Sequence, residues 1–427
     1  MIVPLMEAVA GTCGGKAGAL GASLRAGLPV PDGFVVPFAA YLAAVRDLDL
    51  GRFAGEPDDV HAAARTIEAR PVHAAVIDAL ERALGELGDP PVAVRSSAAR
   101  EDTAQASAAG QHESFLAVHG AGEVAKAVRA CWASLFSPRA VEYRAASGRG
   151  GRPSGDPVMA VIVQRHLDAE VSGVMFTPAD SGDATRIEAS WGLGPSVVEG
   201  RVTPDSYRVT ADGSVTRTVA DKQRRLDRRG TRLVLRDVPT GSRNRPVLGD
   251  VTATRLAELG GRIAAVLGGP QDIEWAIADG RIWVLQARPV TAAPPPPASP
   301  AGASDMPAVT LTGTPGSRGT VTGTVRIVRG RGDFARVRPG DILVCPLTDP
   351  AWTPLLRIAA GVVTETGGVL SHAAIVARER AIPAVLGIPN ATSRLRDGTV
   401  VTIDGTTGTA TAEPGIIAGT EANAGST

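Results

Sequence analysis

One segment near the C-terminus constrains the fold more than any other part of the sequence. It runs from Gly361 to Gly387 and reads GVVTETGGVLSHAAIVARERAIPAVLG. The apolar residues at its start predict a buried strand, which a glycine pair and then a helix follow. Gly367 and Gly368 permit backbone angles that other residues resist, and the helix must end before Pro383. The segment therefore predicts a strand–loop–helix unit of an α/β domain.

The histidine of this segment lies where the predicted helix begins. Ser371 is a predicted N-cap for a helix over residues 373–379, so His372 lies beside backbone N–H groups that favour an anion. A neutral imidazole nitrogen at this point can attack phosphorus, and the same N–H groups can hold the phosphoryl oxygens. The alternative, as for any single histidine, is a structural role in a core or a cap.

A second glycine motif lies near the N-terminus. The run from Gly14 to Gly27 predicts a glycine turn and a helix over residues 17–26, which Gly27 ends. Lys16 at the start of this helix can reach a phosphate, although the GxxxxGK[ST] spacing of a P-loop is absent. Lysine occurs only at positions 16, 126 and 222. A lysine at position 16 in a chain with so few lysines indicates that its compact ammonium group is needed there. An ordinary helix start explains the same residues.

Residues 270–289 predict a β-hairpin whose register decides which side chains share a face. A two-residue loop at 279–280 puts Glu274 and Gln286 on opposite faces. A three-residue loop over 278–280 pairs residue 274 with 284 instead, so that Glu274, Gln286 and Arg288 share a face. That face offers an oxygen pair for a hard cation and an arginine for phosphate, whereas a solvated polar face is the plain alternative. The opposite face would form the core with the apolar residues Ile273, Trp275, Ile277, Trp283 and Leu285.

Composition sets the broad class of protein. The chain has 427 residues and a formal net charge of zero, so we expect two or three domains and no affinity for nucleic acid or an acidic membrane. Cys13, Cys131 and Cys345 are scattered without a CxxC pair, which argues against disulfides and a zinc site and favours a reducing cytoplasm. No apolar stretch reaches ~18 residues, and the N-terminus lacks the pattern of a signal peptide.

The motifs together resemble the phosphoenolpyruvate-utilising dikinase family, which includes phosphoenolpyruvate synthase, pyruvate phosphate dikinase and rifampicin phosphotransferase. The resemblance rests on TETGGVLSHAAIVARERAIPAVLG, GGKAGALGASLRAGLPVPDGFVV, VRSSA, PQDIEWA, LQARP and TDPAWTPL. It implies an α/β chain with an ATP-grasp nucleotide domain over residues 1–291 and a swivelling β/α phosphohistidine domain over 309–413. A Pro/Ala-rich linker over 292–308 would join the two domains, and we expect a disordered tail over 414–427.

The resemblance also implies roles for single residues. His372 would be the residue that is phosphorylated, in a loop with Gly367, Gly368 and Ser371. The end of the strand that begins at Val158 would be the hinge that binds adenine, through Gln164 and the backbone of 165–167. The residues implied to bind ATP are Lys16, Arg95, Gln164, His166, Glu274, Gln286 and Arg288, of which Glu274 and Gln286 would also hold Mg²⁺.

The sequence departs from the family pattern at two positions. Ala108 replaces the usual large aromatic residue in the loop that closes over the phosphates. Pro195 stands where the family often has a glutamate after GLG. The role of that carboxylate is therefore absent in this chain or is taken by another residue, for which Glu199 is a candidate.

The implied reaction starts from ATP, phosphorylates His372 and passes the group to an acceptor, with AMP, phosphate and phospho-acceptor as products. We recognise neither a pyruvate-binding barrel nor a large acceptor domain in these 427 residues. We therefore expect a small-molecule acceptor, as in antibiotic inactivation or natural-product biosynthesis. One alternative is a donor subunit of a split phosphoenolpyruvate synthase that acts with a separate barrel protein. Another is a non-catalytic nucleotide-binding regulator.

Overall fold

The structure is a computed structural model that describes residues 2–48, 57–99, 114–137, 140–141, 157–180, 182–292 and 309–412. The chain forms two compact units, Met1–Gly194 with Asp205–Thr291, and Pro195–Pro204 with Ala292–Thr427. Residues 195–204 thus group with the second unit, although they lie within the range expected for the first. The loop that contains Ala108, residues 293–308 of the expected linker and the expected tail lie outside the described residues.

The described helices span α1 Ala10–Arg25, α2 Phe38–Val45, α3 Pro57–Ala69, α4 Ala74–Glu86, α5 Ala121–Ser134, α6 Pro195–Val198, α7 Thr240–Arg243, α8 Asp250–Leu267, α9 Thr353–Leu356, α10 His372–Glu379 and α11 Ala391–Arg394. Among these described helices, none has both the length and the apolar composition needed to cross a bilayer. The three cysteines, Cys13, Cys131 and Cys345, are buried as free thiols.

The first unit contains thirteen described strands. They are β1 Val3–Pro4, β2 Gly33–Val36, β3 Val92–Ala98, β4 Ser114–Val118, β5 Met159–Arg165, β6 Val171–Phe176, β7 Thr185–Trp191, β8 Asp205–Val209, β9 Val215–Thr218, β10 Arg224–Arg229, β11 Arg232–Asp237, β12 Gln271–Ala278 and β13 Arg281–Pro289. A five-stranded sheet has the order β1-β2-β5-β3-β4, a six-stranded sheet has the order β13-β12-β6-β7-β8-β9, and β10 and β11 form a separate hairpin. All neighbouring pairs in these sheets are antiparallel.

Alternating residues of β5 separate the two cores of the first unit. Val161 and Val163 pack with helices α2 to α5 on one side of the five-stranded sheet. Ala160 and Ile162 point to the other side, into a core that includes α1, α8 and Trp275 of the six-stranded sheet. Each large apolar side chain buried in this way contributes about 1.5–3 kcal/mol. The five-stranded sheet is therefore covered on both faces, as its continuous apolar strands predict.

Helix α1 is kinked at its glycine motif. Gly14 has φ 81° and ψ 166°, and a Cβ built on it would lie 2.3 Å from the carbonyl oxygen of Ser97. The N–H of Ala17 donates to the Ser97 hydroxyl at 3.1 Å. Gly27 has φ 69° directly after the helix, which confirms that it ends the helix. Lys16 consequently lies in the first turn after the kink, beside β3.

The β12–β13 hairpin does not have the three-residue loop that would place Glu274, Gln286 and Arg288 on one face. Ala278 pairs with Arg281, so the loop has two residues, and both of them, Asp279 and Gly280, have positive φ. The three-residue loop that would pair residue 274 with 284 is therefore wrong. A β-bulge then shifts the register, so that Trp275 pairs with Val284 while Glu274 pairs with Gln286. The extra residue of the bulge is Leu285, and it returns Glu274 and Gln286 to one face.

The bulge also changes which residues of β13 face the core. Val284 and Ala287 are buried in the core with Ile273 and Trp275. The prediction that Trp283 and Leu285 belong to this core face is wrong. Trp283 lies opposite Ala276 and Leu285 is the bulged residue, so both side chains project to the other face. The guanidinium of Arg281 lies over the ring of Trp283, 4.7 Å from its centroid, and Leu285 packs against a separate small cluster.

The second unit is built on one eight-stranded mixed sheet. Its strands are β14 Val309–Thr312, β15 Thr314–Ser317, β16 Thr320–Ile327, β17 Ile342–Cys345, β18 Gly361–Thr364, β19 Ala384–Leu386, β20 Val400–Asp404 and β21 Thr409–Ala412, in the order β14-β21-β20-β16-β17-β18-β19-β15. Strands β16 to β19 are parallel neighbours, and α10 connects β18 to β19. This confirms the predicted strand–loop–helix–strand unit around residue 372. Apolar clusters cover both faces of the sheet, with Val363 in one and Val362 in the other.

A buried ion pair joins the start of β8 to the segment between β9 and β10 in the first unit. Lys222 and Asp205 are both fully buried, and Nζ lies 2.5 Å from Oδ1. Nζ also donates to the carbonyl of Ala220 at 2.8 Å. The carboxylate of Asp205 accepts further hydrogen bonds from the N–H of Ala220 and of Val247 at 2.8 and 2.9 Å. Each charge is thus satisfied as long as its partner is present.

We expect Lys222→Met to lower the free energy of unfolding by about 3–5 kcal/mol, because it leaves the Asp205 carboxylate buried without its cation. Urea denaturation followed by tryptophan fluorescence measures this loss. Lys126→Met is the matched control, since Lys126 and its partner Glu123 are each 62% exposed, and its effect should stay below about 1 kcal/mol. A Lys222→Met variant as stable as the control would contradict the account of this pair.

Candidate active sites in the two units

The first candidate site is a polar face of the six-stranded sheet. Directly opposite residues form a row across five strands, in the order Gln286, Glu274, Val174, Glu188 and Ser206. Opposite residues share a face of the sheet, and the other face is covered by α8 and the main core. Two carboxylates and an amide are therefore presented together.

A second row lies two residues along each strand, and so on the same face. It contains Arg288, Asp272, Phe176, Arg186 and Arg208 in that order. Asp272 accepts from Arg288, with Oδ2 at 2.9 Å from Nε and 2.8 Å from Nη2. Arg288 is 9% and Asp272 5% exposed. The buried carboxylate thus fixes the guanidinium at the edge of the polar face.

Arg95 joins this face from the five-stranded sheet. Its Nη1 donates to the carbonyl of Leu285 at 3.0 Å and lies 3.8 Å from Oε2 of Glu274. Leu285 is the bulged residue, so the same irregularity that pairs Glu274 with Gln286 offers a carbonyl to Arg95. The structure consequently brings together Arg95, Glu274, Gln286 and Arg288.

The oxygen pair of this cluster suits a cation that is shared with a ligand. Glu274 and Gln286 lie directly opposite each other, and the Glu274 side chain is 24% exposed. Within the described ranges, no group of three or more His, Cys, Asp or Glu side chains could enclose a metal ion. Mg²⁺ is typically held by one or two protein oxygens together with phosphate oxygens and water. The residues fit that form of binding and not a site built from protein alone.

The expected adenine hinge is partly engaged in the fold. Gln164 is 1% exposed, and its Nε2 donates to the carbonyl of Pro31 at 3.1 Å. The backbone N–H groups of Arg165 and His166 donate to neighbouring carbonyls at 2.9 Å each. The Gln164 amide nitrogen and these two N–H groups therefore hold the hinge in place, and a base would meet the carbonyls of the hinge or Leu167.

A small apolar cluster lies beside this hinge. Its buried members are Ala169, Leu193, Leu226 and Ala276, with Leu285 packed against them. Ala276 lies two residues from Glu274 on β12, so the cluster belongs to the same face as the polar rows. A flat base can be covered by these side chains while charged groups of a ligand extend toward the arginines.

His166 is held neutral at physiological pH. Its side chain is 2% exposed, and burial lowers its pKa to about 4, against the opposing effect of Asp168 and with a smaller contribution from Arg228 and Arg95. Its Nδ1 lies 3.9 Å from Oδ1 of Asp168, which is beyond hydrogen-bond distance. His166 is therefore a neutral polar group at the hinge.

The second candidate site lies at the start of α10 in the second unit. His372 is the first residue of this helix, is 5% exposed, and has its Nδ1 3.1 Å from Oγ1 of Thr348. Ser371 occupies the N-cap, as predicted, but makes no capping bond with its side chain. Its hydroxyl instead donates to the carbonyl of Gly368 at 2.8 Å. Gly367 has φ 106°, whereas Gly368 is not among the glycines with positive φ.

Residues 195–204 form part of this second unit and contact the same loop. The hydroxyl of Thr366 donates to the carbonyl of Gly200 at 2.6 Å, and a Cβ on Gly200 would lie 3.4 Å from Cβ of Ser371. Glu199 forms an ion pair with Arg201 at 2.5 Å. Glu199, the candidate to replace the missing carboxylate, is thus paired with an arginine two residues away.

Sequence reasoning missed three residues of these sites. Asp272 could have been found, because it lies two residues before Glu274 in the same predicted strand. Glu188 is 2% exposed, and a single acid inside an apolar strand is a usable sign of function. Thr348 carries no periodic or charge pattern, and only its contact with His372 identifies it.

Two family descriptions match the chain. Residues 10–305 match "Pyruvate phosphate dikinase, AMP/ATP-binding domain", and residues 337–408 match "PEP-utilising enzyme, mobile domain". The first match covers well over half of the chain. The mixed α/β fold therefore consists of an ATP-binding domain and a mobile domain.

Curated relatives extend the similarity over most of the chain. A probable phosphoenolpyruvate synthase of Methanothermobacter thermautotrophicus is 39% identical over 93% of this chain and 61% of its own length. The phosphoenolpyruvate synthase of Deinococcus radiodurans is 36% identical over 91% of this chain and 54% of its own length, and that of Pyrococcus furiosus is 34% identical over 92% and 56%. The chain thus spans little more than half the length of these relatives.

The similarity to solved structures is too low to support a conclusion about the fold. The dinucleotide-forming acetyl-coenzyme A synthetase of Ca. Korarchaeum cryptofilum is 14% identical, covers 49% of this chain and 80% of its own, and has a TM-score of 0.25. An ATP-grasp ligase, PsnB, is 11% identical, covers 64% of this chain and 49% of its own, and has a TM-score of 0.21.

We expect the stability of the protein to depend on pH through His166. The folded chain takes up this proton at about pH 4, whereas the ordinary value is 6.5, so the unfolded chain binds the proton first as the pH falls. Stability is therefore lost as pH decreases from about 6.5 to 4, by up to about 3 kcal/mol. His166→Gln should remove this part of the pH dependence in urea titrations at pH 7 and 4.5. A wild-type pH dependence in His166→Gln would contradict this account.

Proposed function

Because the chain belongs to the phosphoenolpyruvate-utilising dikinase family, we propose that it transfers a phosphoryl group from ATP to His372 and then to a small-molecule acceptor. Release of AMP requires attack at the β-phosphorus of ATP, and the γ-phosphoryl group then passes to water, so that the products are AMP, phosphate and the phospho-acceptor. In this proposal the first unit is an ATP-grasp nucleotide domain, and the second is a swivelling phosphohistidine domain that the linker over residues 292–308 allows to move.

The observation that carries this proposal is the position of His372. Its Nδ1 is 3.1 Å from the Thr348 hydroxyl, and the partner of one ring nitrogen decides which tautomer the ring adopts. When Nδ1–H donates to Thr348, the lone pair lies on Nε2. Nε2 is then the atom that attacks phosphorus, and Thr348 holds the ring in the required tautomer.

The start of α10 provides donors for the phosphoryl oxygens. The first backbone N–H groups of a helix have no partner within the helix, and they favour an anion. Ser371 leaves them to a ligand, because its hydroxyl donates to Gly368 and not to the helix. The N–H groups of Ala373 and Ala374 are therefore the donors that we assign to the phosphoryl group.

The first unit contributes positive charge and oxygen ligands. Arg95 and Arg288, with Lys16 in the first turn after the kink of α1, neutralise the charge that moves during phosphoryl transfer. Glu274 and Gln286 would hold Mg²⁺, which would supply positive charge to the phosphates when bound. Asp272 holds the Arg288 guanidinium in place. Gln164, His166 and the small apolar cluster near them position the base.

The names of the relatives favour one alternative acceptor. They are phosphoenolpyruvate synthases, of which this chain spans 54–61%, so pyruvate held by a separate acceptor-binding protein is the second candidate. The chain alone, given ATP and pyruvate, should form no phosphoenolpyruvate under either candidate. It should phosphorylate an acceptor without a second protein only if that acceptor is another small polar molecule, such as an antibiotic or a biosynthetic intermediate. Mass spectrometry of products from candidate acceptor pools identifies it.

Incubation with β-³²P-labelled ATP should place a phosphoryl group on His372 that is labile in acid and stable in base, whereas a γ label should be released as phosphate. His372→Ala should abolish the label and retain ATP binding, since the nucleotide residues lie in the other unit. Thr348→Val should slow labelling by about 10-fold or more, because the ring loses the partner that sets its tautomer. An undiminished label in His372→Ala would refute the carrier assignment, and His119→Ala controls for loss of an exposed histidine.

Glu274→Ala and Gln286→Ala should each lower Mg²⁺-dependent AMP formation by about 100-fold, the scale on which single groups that stabilise transition-state charge act. The measurement is AMP release at increasing Mg²⁺ concentrations, and the half-saturating concentration should rise in both variants. Glu258→Ala on the exposed side of α8 provides a control of equal charge change. Wild-type Mg²⁺ dependence in Glu274→Ala would remove the shared-cation argument.

A further inference from the structure

We propose that Arg186 and Arg208 form a second oxyanion site on the six-stranded sheet, which binds a phosphate group beside the Arg288–Asp272 pair. The choice of phosphate as ligand rests on the proposed function. The site itself rests on the geometry of the two arginines. Neither arginine is among the residues assigned above to ATP, Mg²⁺ or the phosphohistidine.

The two arginines lie directly opposite each other on β7 and β8. Opposite side chains in an antiparallel pair have Cβ atoms only about 4.5–5.5 Å apart, and like charges in this arrangement destabilise the sheet. The proximity of Arg208, after the larger effect of burial, lowers the pKa of the Arg186 guanidinium. The folded protein thus keeps two cations together at a cost.

No ion pair or hydrogen bond from a described residue offsets this cost. Among the described residues, no carboxylate lies within 4 Å of either guanidinium, and neither donates a hydrogen bond to a described residue. Nε of Arg208 is buried without a hydrogen-bond partner in that part of the chain. Asp183 and Glu188 act on Arg186 only through longer-range attraction. An anion bound between the arginines would supply the missing acceptors.

The position of the pair connects it with phosphate chemistry. Arg186 and Arg208 continue the row that starts with Arg288 and Asp272, and only Phe176 separates Asp272 from Arg186. Neighbouring strands are about 4.8 Å apart, so Arg186 lies two strands, or about 10 Å, from Asp272. An anion held by the pair therefore shares the polar face with the nucleotide phosphates.

The chemistry of two guanidinium groups selects the ligand. Each presents several N–H donors in a planar fork, which matches the oxygens of phosphate. Two forks can bind a tetrahedral dianion from two sides and balance its charge. Such a ligand is either inorganic phosphate or the phosphate group of a larger acceptor or product.

The direct test is equilibrium binding of ³²P-labelled phosphate to the full chain at constant ionic strength, without nucleotide. We expect saturable binding that is weakened about 10-fold or more in Arg186→Gln and Arg208→Gln, as the loss of charged hydrogen bonds requires. Arg217→Gln is the matched control. Arg217 lies opposite Tyr207, on the other face of the sheet, and is paired with Asp250, so phosphate binding should remain unchanged.

A stability measurement separates a binding defect from misfolding. Without phosphate, Arg208→Gln should unfold at a temperature equal to or higher than the wild type, because the repulsion is relieved. Phosphate should raise the unfolding temperature of the wild type and not that of the variant. Equal phosphate affinity in the wild type and both variants, or no saturable binding to the wild type, would overturn the proposal.

Glycerol phosphate distinguishes the two sources of the ligand. Affinity similar to that of phosphate assigns the site to a phosphate group carried by a larger molecule, whereas binding at least tenfold weaker assigns it to free phosphate. Labelling of His372 by ATP is measured separately in the same preparations. A wild type that binds phosphate but is never labelled would refute the proposed function and leave the oxyanion site supported.

Discussion

The polar face of the first unit depends on one extra residue in a β-hairpin. With the two-residue loop alone, Glu274 would lie opposite residue 285, and Gln286 would project from the other side of the sheet, because a slip of one residue reverses the face of every side chain beyond it. The bulge at Leu285 restores the pairing of Glu274 with Gln286. It also sets Arg288 opposite Asp272 and offers the Leu285 carbonyl to Arg95. The oxygen pair, the Arg288–Asp272 ion pair and the contact with the five-stranded sheet therefore have a common structural cause.

The charges on this face are only partly balanced within the protein. Arg288 has a buried carboxylate as its partner, while Glu274 has an arginine at 3.8 Å and Arg186 faces Arg208. Only the folded state brings these charges together and is destabilised by their repulsion. A ligand that supplies the missing anions or cation therefore stabilises the folded state by mass action. Ligand binding and maximal stability without ligand make opposite demands on such a face, and the facing arginines fit the first demand better than the second. The fully satisfied pair of Lys222 and Asp205, in contrast, needs no ligand.

Local features of the sequence were sufficient for some parts of the structure and insufficient for others. The strand–loop–helix around His372 and the end of α1 at Gly27 follow from periodicity and from glycine and proline positions, all of which act over a few residues. The bulge at Leu285 does not, since register is decided by the core that Val284 and Ala287 enter. Contacts between distant segments, such as that of Thr348 with His372, also have no local sign. The rarity of lysine does not by itself indicate a phosphate contact, because Lys222 is fully buried in an ion pair with Asp205.

The partner of His372 has a consequence for the proposed transfer. A carboxylate next to the ring would favour the imidazolium form, which has no lone pair with which to attack phosphorus. The Thr348 hydroxyl can accept from Nδ1–H and fix the orientation of the ring without adding negative charge. The Thr348 contact therefore orients the ring without itself favouring the imidazolium form. Because a carrier must release its phosphoryl group as readily as it accepts it, a neutral partner suits this histidine better than a charged one.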